Sequence, residues 1–200
     1  MENEQRIFIS PNYTIDHFQK FGIDEKIDVF EDRVTGWIFD VCQKMYDLEI
    51  PNNEFAVLKL ICSCFEMYGK YYLGYEGYND SKKLFIKAFK AFYHPCEQKA
   101  ADLFYTYIRN SLYHTGFVSP NVLITKSIGR PFGYNENDIL KLNVKILYES
   151  LRDGFNRYIR VLRDENNKKL RESFEARYDF EGKHFFLSKF GVAIDTKNIE

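Results

Sequence analysis

Arg109-Asn110-Ser111-Leu112-Tyr113-His114 sets a permanently charged guanidinium and an imidazole that titrates near neutral pH five positions apart. That pair suits chemistry on a phosphodiester. A guanidinium holds phosphate oxygens through charge-assisted hydrogen bonds, and an imidazole moves the proton of an attacking or leaving oxygen. The chain offers no stronger set. His17, His94 and His184 are scattered without metal-ligand spacing. There is no Walker-type loop, nucleophile elbow or dinucleotide fingerprint, and Gly129-Arg130-Pro131-Phe132-Gly133 reads as a turn. No cofactor or metal is expected.

Helical geometry complicates the pair. Residues five apart on an ideal helix are separated by about 140° of rotation, so Arg109 and His114 do not share a face, whereas Asn110 and His114 do. Three arrangements can still bring them together: the helix unwinds before His114, the long side chains bend around it, or a second copy of the chain completes the site. Each residue also has a plainer role available, in which Arg109 and His114 merely answer the carbonyls at a helix C-terminus.

The elements that carry these residues follow from hydrophobic periodicity. Residues 1–23 read as irregular, with Pro11-Asn12 as a turn signal. From Asp24, a plausible N-cap, Ile27, Phe30, Val34, Trp37, Ile38, Val41 and Met45 recur at helical steps. A second helix spans about 54–72, with Val57, Leu58, Ile61, Phe65 and Tyr68 inward. A third follows Ser81 as its cap, and His94-Pro95 breaks it. A fourth, about 96–113 with Pro95 in its first turn, delivers the motif and stops at Gly116. The stretch 117–142 is rich in β-branched residues and reads as a short hairpin or extended excursion. A long helix follows Asn143, and a further one over about 167–177 leads to an aromatic tail (Phe180, Phe185, Phe186, Phe190). The fold class is mainly α: an up-and-down bundle of about five to six helices, with the β excursion after the fourth. Residues 24–165 form the bundle, and 166–200 pack on the same domain.

Composition bounds the partners. A net charge of −1 argues against non-specific coating of DNA or an anionic membrane, while leaving room for a local basic cleft. The stretch 152–177 holds eight basic and five acidic residues and reads first as a solvated helical face. Aromatic residues make up 18%, which favours packed helices and a dimer interface. The run Tyr68, Tyr71, Tyr72, Tyr75 and Tyr78 reads as core edge or interface before base stacking. Cys42, Cys62, Cys64 and Cys96 form no CxxC pair and read as reduced, mostly buried thiols. With no signal-peptide pattern and no membrane-length apolar run, the expected location is the cytoplasm.

An Arg, a polar residue, three further residues and a His, late in a helical bundle, resembles the HEPN superfamily, and Arg109-Asn110-Ser111-Leu112-Tyr113-His114 matches that R-polar-x-x-x-H form. The earlier segment Leu60 to Gly69 looks like the family's preceding helix, with Glu66 as its acidic residue near the site. The resemblance covers about residues 25–165. It implies a metal-independent endoribonuclease that acts as a homodimer, with two motifs facing across a cleft. His114 would then be the general base or acid, Arg109 would hold the scissile phosphate, and Asn110 would orient the imidazole or bond the substrate. The resemblance further implies a toxin or phage-defence setting and a neighbouring antitoxin such as a nucleotidyltransferase. The alternative it carries is a non-catalytic HEPN-like module that dimerises or binds a nucleotide or RNA. A helical interaction protein without a nucleic-acid ligand is a third reading.

Overall fold

The computed structural model describes residues 7–15, 22–77 and 79–190, the side chains of 184–190 excepted. The mainly helical fold with a β excursion after the motif helix is present as the periodicity predicts. The first helical rod comprises α1 (Ile23–Val34), a π-helical turn (Thr35–Phe39) and α2 (Asp40–Asp47). Then come α3 (Glu54–Leu73) and α4 (Ser81–Phe92). The motif rod is α5 (Gln98–Phe104), a second π turn (Tyr105–Asn110) and α6 (Ser111–Thr115). Strands β1 (Val122–Ile124), β2 (Phe132–Tyr134) and β3 (Leu140–Leu142) precede α7 (Val144–Arg163) and α8 (Lys168–Phe190).

The π turn in the first rod changes which residues face inward. The Asp40 N–H reaches the Thr35 carbonyl five residues back, so one extra residue enters the turn. The buried series therefore runs Ile27, Phe30, Val34, then Phe39 and Cys42. Trp37, expected inward, is 45% exposed, and Val41 is exposed with it. The Tyr148 hydroxyl of α7 donates to the Phe39 carbonyl at 3.1 Å, anchoring the widened turn.

Aromatic rings fill the core. Phe65 of α3 lies 5.2 Å from Phe85, 5.1 Å from Phe89 and 6.1 Å from Phe104, joining α3, α4 and α5. A second cluster sets Phe30 4.3 Å from Tyr71 and 5.4 Å from Phe174, which brings α8 onto α1 and α3. The excursion is more than a hairpin: the sheet order is β1-β3-β2, with β1 parallel and β2 antiparallel to the central β3. Leu140 and Leu142 point inward, and the Phe132 ring sits 5.0 Å from Phe89. Asn143 caps α7, its side-chain oxygen accepting from the Ile146 N–H.

Several sequence expectations need correction. Pro95 precedes the motif helix instead of opening it, because α5 starts at Gln98 after Glu97. Ser81 does not cap α4; Asp80 holds that position in left-handed geometry, and the serine hydroxyl turns elsewhere. α8 continues past Arg177 to Phe190, supported by the Arg177–Glu181 pair one turn apart. The basic stretch 152–177 is not simply a solvated face. Arg163 pairs with Asp28 and Glu31 of α1, Arg171 with Asp24, and Arg177 is buried against the carbonyls of Tyr75 and Gly77. His17 and the last ten residues lie outside the described residues, as do the side chains of His184, Phe185, Phe186 and Phe190. Among the described residues no helix is long and apolar enough to cross a membrane.

Gly69 marks the closest approach of α3 and α4, since a Cβ there would lie 2.6 Å from the Leu84 carbonyl oxygen. Gly69→Ala forces two helix backbones apart, so it should lose about 1–2 kcal/mol net of the helix-propensity gain. Gly129, with nothing within 4 Å of a built Cβ, is the control: its alanine variant should unfold at the wild-type denaturant midpoint.

Candidate active site

The motif begins inside a π turn and ends on a short α-helical turn. Two devices hold this widened stretch. The Ser119 N–H donates to the Tyr107 carbonyl at 2.8 Å, and the Ser111 hydroxyl donates to the Thr106 carbonyl at 3.2 Å. The inward residues Phe104, Ile108 and Leu112 are buried as the spacing predicts. The helix does not unwind before His114. It runs to Thr115 and ends at Gly116, whose φ of 78° is the left-handed stop that glycine favours.

Arg109 is the best-defined group of the motif. Its Nη2 donates to Glu66 Oε2 of α3 at 2.8 Å, with both side chains mostly buried. Its guanidinium carbon sits 4.6 Å from the Tyr113 ring centroid and 5.6 Å from that of Tyr105, so two rings one turn to either side brace it. Only one guanidinium N–H is used among the described residues, leaving the others for an incoming acceptor.

Glu66 is answered on both oxygens. Oε1 accepts from the Ser81 hydroxyl at 2.8 Å and lies 3.2 Å from Lys70 Nζ, while Oε2 takes Arg109. Burial alone would raise this carboxyl, but the hydrogen bonds from Ser81, Arg109 and Lys70 outweigh it and hold the group below the usual carboxylate range. Glu66 is therefore an ionised anchor near neutral pH.

The structure joins Glu66 to Arg109 and leaves the other two candidates apart from them. His114 is exposed, Asn110 is half-buried, and neither side chain makes a hydrogen bond among the described residues. Exposed rings flank the histidine along the chain: Tyr113 is 44% exposed and Phe117 70%. Of the three ways to unite Arg109 with His114, unwinding is not taken, and Arg109 bends toward α3.

Sequence reasoning did not single out Tyr105, Lys70 or Ser81 as site neighbours. Tyr105 and Tyr113 had a signal, since they sit four residues before and after Arg109 on one helical stripe. The tyrosine run mainly packs: Tyr71 is buried with its hydroxyl on Glu181, and Tyr68 lies 4.3 Å from Phe92 and 4.7 Å from Tyr158. Tyr78 lies outside the described residues. Cys42, Cys62 and Cys64 are buried, all four cysteines are free, and burial pushes the Cys42 and Cys62 thiols up to about 12. Among the described residues no group of three or more His, Cys, Asp or Glu is arranged to hold a metal ion.

In comparisons with known proteins, the chain matches no family model, no curated protein and no solved structure.

A carboxyl held low in the folded state stabilises the fold above its unfolded pKa, and that stability is lost as the pH falls through the folded value. Glu66→Gln should therefore cost about 1–2 kcal/mol at pH 7. The gap to wild type should begin to narrow below roughly pH 4.3, where the unfolded chain's glutamate protonates, and close as the folded carboxyl titrates below that. Denaturant unfolding across a pH series reads this directly, and a gap constant down to pH 3 would refute the charged-anchor role.

Proposed function

We propose that the chain is a metal-independent endoribonuclease of HEPN type that acts as a homodimer. The observation that carries this reading is the fixed Arg109, braced by Glu66 and Tyr113, in the π turn that runs directly into the short helix bearing the exposed His114. A guanidinium with donors to spare can hold a phosphodiester and the charge that gathers on it in the pentacoordinate transition state. An exposed imidazole can reach the ribose.

Arg109 turns toward α3 while His114 faces solvent, so one protomer supplies half of each role. A second copy placed over the Tyr113–Phe117 face would bury those rings and set two histidines on one substrate. In the reaction the 2′-oxygen bonds to phosphorus and the bond from phosphorus to the 5′-oxygen breaks. His114 takes the proton from the 2′-hydroxyl, and the partner's His114 gives one to the departing 5′-oxygen. The products are a 2′,3′-cyclic phosphate and a 5′-hydroxyl, and DNA, lacking the 2′-hydroxyl, is not cut. Asn110 lies one turn before His114, where it can orient the imidazole or bond substrate. Glu66 serves by aiming Arg109. A toxin or phage-defence role, with an antitoxin such as a nucleotidyltransferase as partner and a cytoplasmic location, is the setting this reading implies.

One observation favours a second reading. Glu66, shared with Lys70, already pairs with Arg109, which weakens its pull on a phosphate. A non-catalytic HEPN-like module that dimerises or binds a nucleotide or RNA would tolerate that pairing.

Purified protein incubated with total RNA and excess EDTA should generate cyclic-phosphate ends, and His114→Ala should slow their appearance by about 10²-fold or more. Intact RNA that nevertheless stays bound would favour the second reading, and intact RNA that does not bind would remove both.

A further inference from the structure

α4 has an unusual charge pattern. Ser81–Phe92 contains Lys82, Lys83, Lys87 and Lys90 and no acidic residue. Leu84, Phe85, Ala88 and Phe89 are committed to the core, so the helical period fixes the lysines on the outer side. Lys82, Lys83 and Lys87 are exposed and Lys90 is half-buried.

These lysines line a groove of about 700 Å³ between α4 and the start of α5. Its acidic lining, Asp80 and Asp102, does not balance them. Lys82 reaches Asp102 at 3.4 Å and Lys90 donates to the neutral Gln98 at 3.1 Å. Lys83 and Lys87 have no ion-pair partner among the described residues. Lys82 and Lys83 also stand in the first turn, where they add to the positive end of the helix dipole instead of offsetting it. Fold stability does not account for that placement.

The groove leads to the candidate site. Lys82 Nζ lies 5.8 Å from the Tyr105 ring centroid, and Arg109 lies 5.6 Å from the same centroid. Ser81, the residue before Lys82, donates to the carboxylate that holds Arg109. A row of cations ending at aromatic rings is the arrangement that binds a single-stranded nucleic acid without reading its sequence.

We propose that the lysine groove of α4 is the track for the phosphate backbone of single-stranded RNA and feeds that strand to Arg109. This rests on the RNA reading above and adds to it the path and the strandedness of the substrate. Lys83, Lys87 and Lys90 follow one stripe at steps of four and three residues, rises of about 6 and about 4.5 Å, so successive phosphates can be met in turn.

The test is fluorescence anisotropy of a labelled 20-nucleotide single-stranded RNA across a salt series, in the His114→Ala background so that the strand stays whole. The triple variant Lys83→Gln, Lys87→Gln, Lys90→Gln should bind at least tenfold more weakly. Its plot of log affinity against log salt should be shallower by about 2, the loss of three phosphate contacts on a single strand. The corresponding lysine-to-arginine triple should bind like the parent. The exposed pair Lys168→Gln, Lys169→Gln, on α8, should change little.

If the parent binds no RNA, the function reading falls and the track falls with it. If the parent binds and the α4 triple matches it, the track alone is overturned. An equal loss in the α8 pair reduces the effect to bulk charge and overturns the track. Polyglutamate competing as well as RNA, with the same lysine dependence, would make the groove an acidic-protein site and overturn it also.

Discussion

A mostly buried carboxylate stays charged only when donors answer it from several sides, and Glu66 is answered from three elements. Lys70 reaches it from α3, Ser81 from the start of α4 and Arg109 from the motif rod. Phe65, the preceding residue, stands about 100° around α3 and meets Phe85, Phe89 and Phe104 in the core. Two neighbours on one helix thus join the same three helices twice, once through packed rings and once through charge. The ring contacts are non-directional and set the distance between helices. The charged contacts are directional, and they set which way Arg109 faces.

The two π turns explain where helical periodicity holds and where it slips. Each inserts one residue and disturbs the carbonyl ladder, and in each case a distant group fastens the widened turn: Tyr148 at Phe39, Ser119 at Tyr107. In the first rod the insertion rotates everything after Val34, which is why Trp37 and Val41 face solvent despite correct spacing on an ideal helix. In the motif rod Phe104, Ile108 and Leu112 keep their four-residue steps and stay buried. A propensity or a period read along the chain cannot reveal such an insertion, because the hydrogen bonds that fasten it include ones from outside the helix.

The helices, the excursion and most of the core were legible because they depend on local pattern. The site was legible in part. Arg109, Asn110 and His114 stand out by type and spacing, and Glu66 came through the family resemblance. The Tyr105-Arg109-Tyr113 stripe was present in the spacing but carried no mark separating it from ordinary core aromatics. The role of Ser81 was hidden by a competing local signal, since a serine before an apolar run usually caps a helix. Here the tertiary carboxylate outbids the backbone. The charge-rich stretch 152–177 misleads by composition, because its arginines fasten α7 and α8 to α1 and to the 75–77 loop. The four lysines of α4 have no acid on their own helix and were the more telling signal.

That contrast gives the overall charge of −1 a different meaning. The arginine-rich helices spend much of their charge internally, on Asp24, Asp28, Glu31 and Glu181. The cations of α4 remain largely uncompensated beside a guanidinium that Glu66 has already partnered. A phosphate approaching Arg109 must compete with that carboxylate, and an isolated guanidinium in such a pair binds anions weakly. In the proposed RNA reading the α4 lysines change the balance, because their field would concentrate the strand near Arg109 before any contact with it is made. Long-range attraction can therefore come from the groove while geometry comes from the Glu66–Arg109 pair. Under that proposed division of labour Glu66 would weaken binding locally and still serve the site, since an Arg held in one orientation is ready for a developing charge without reorganising.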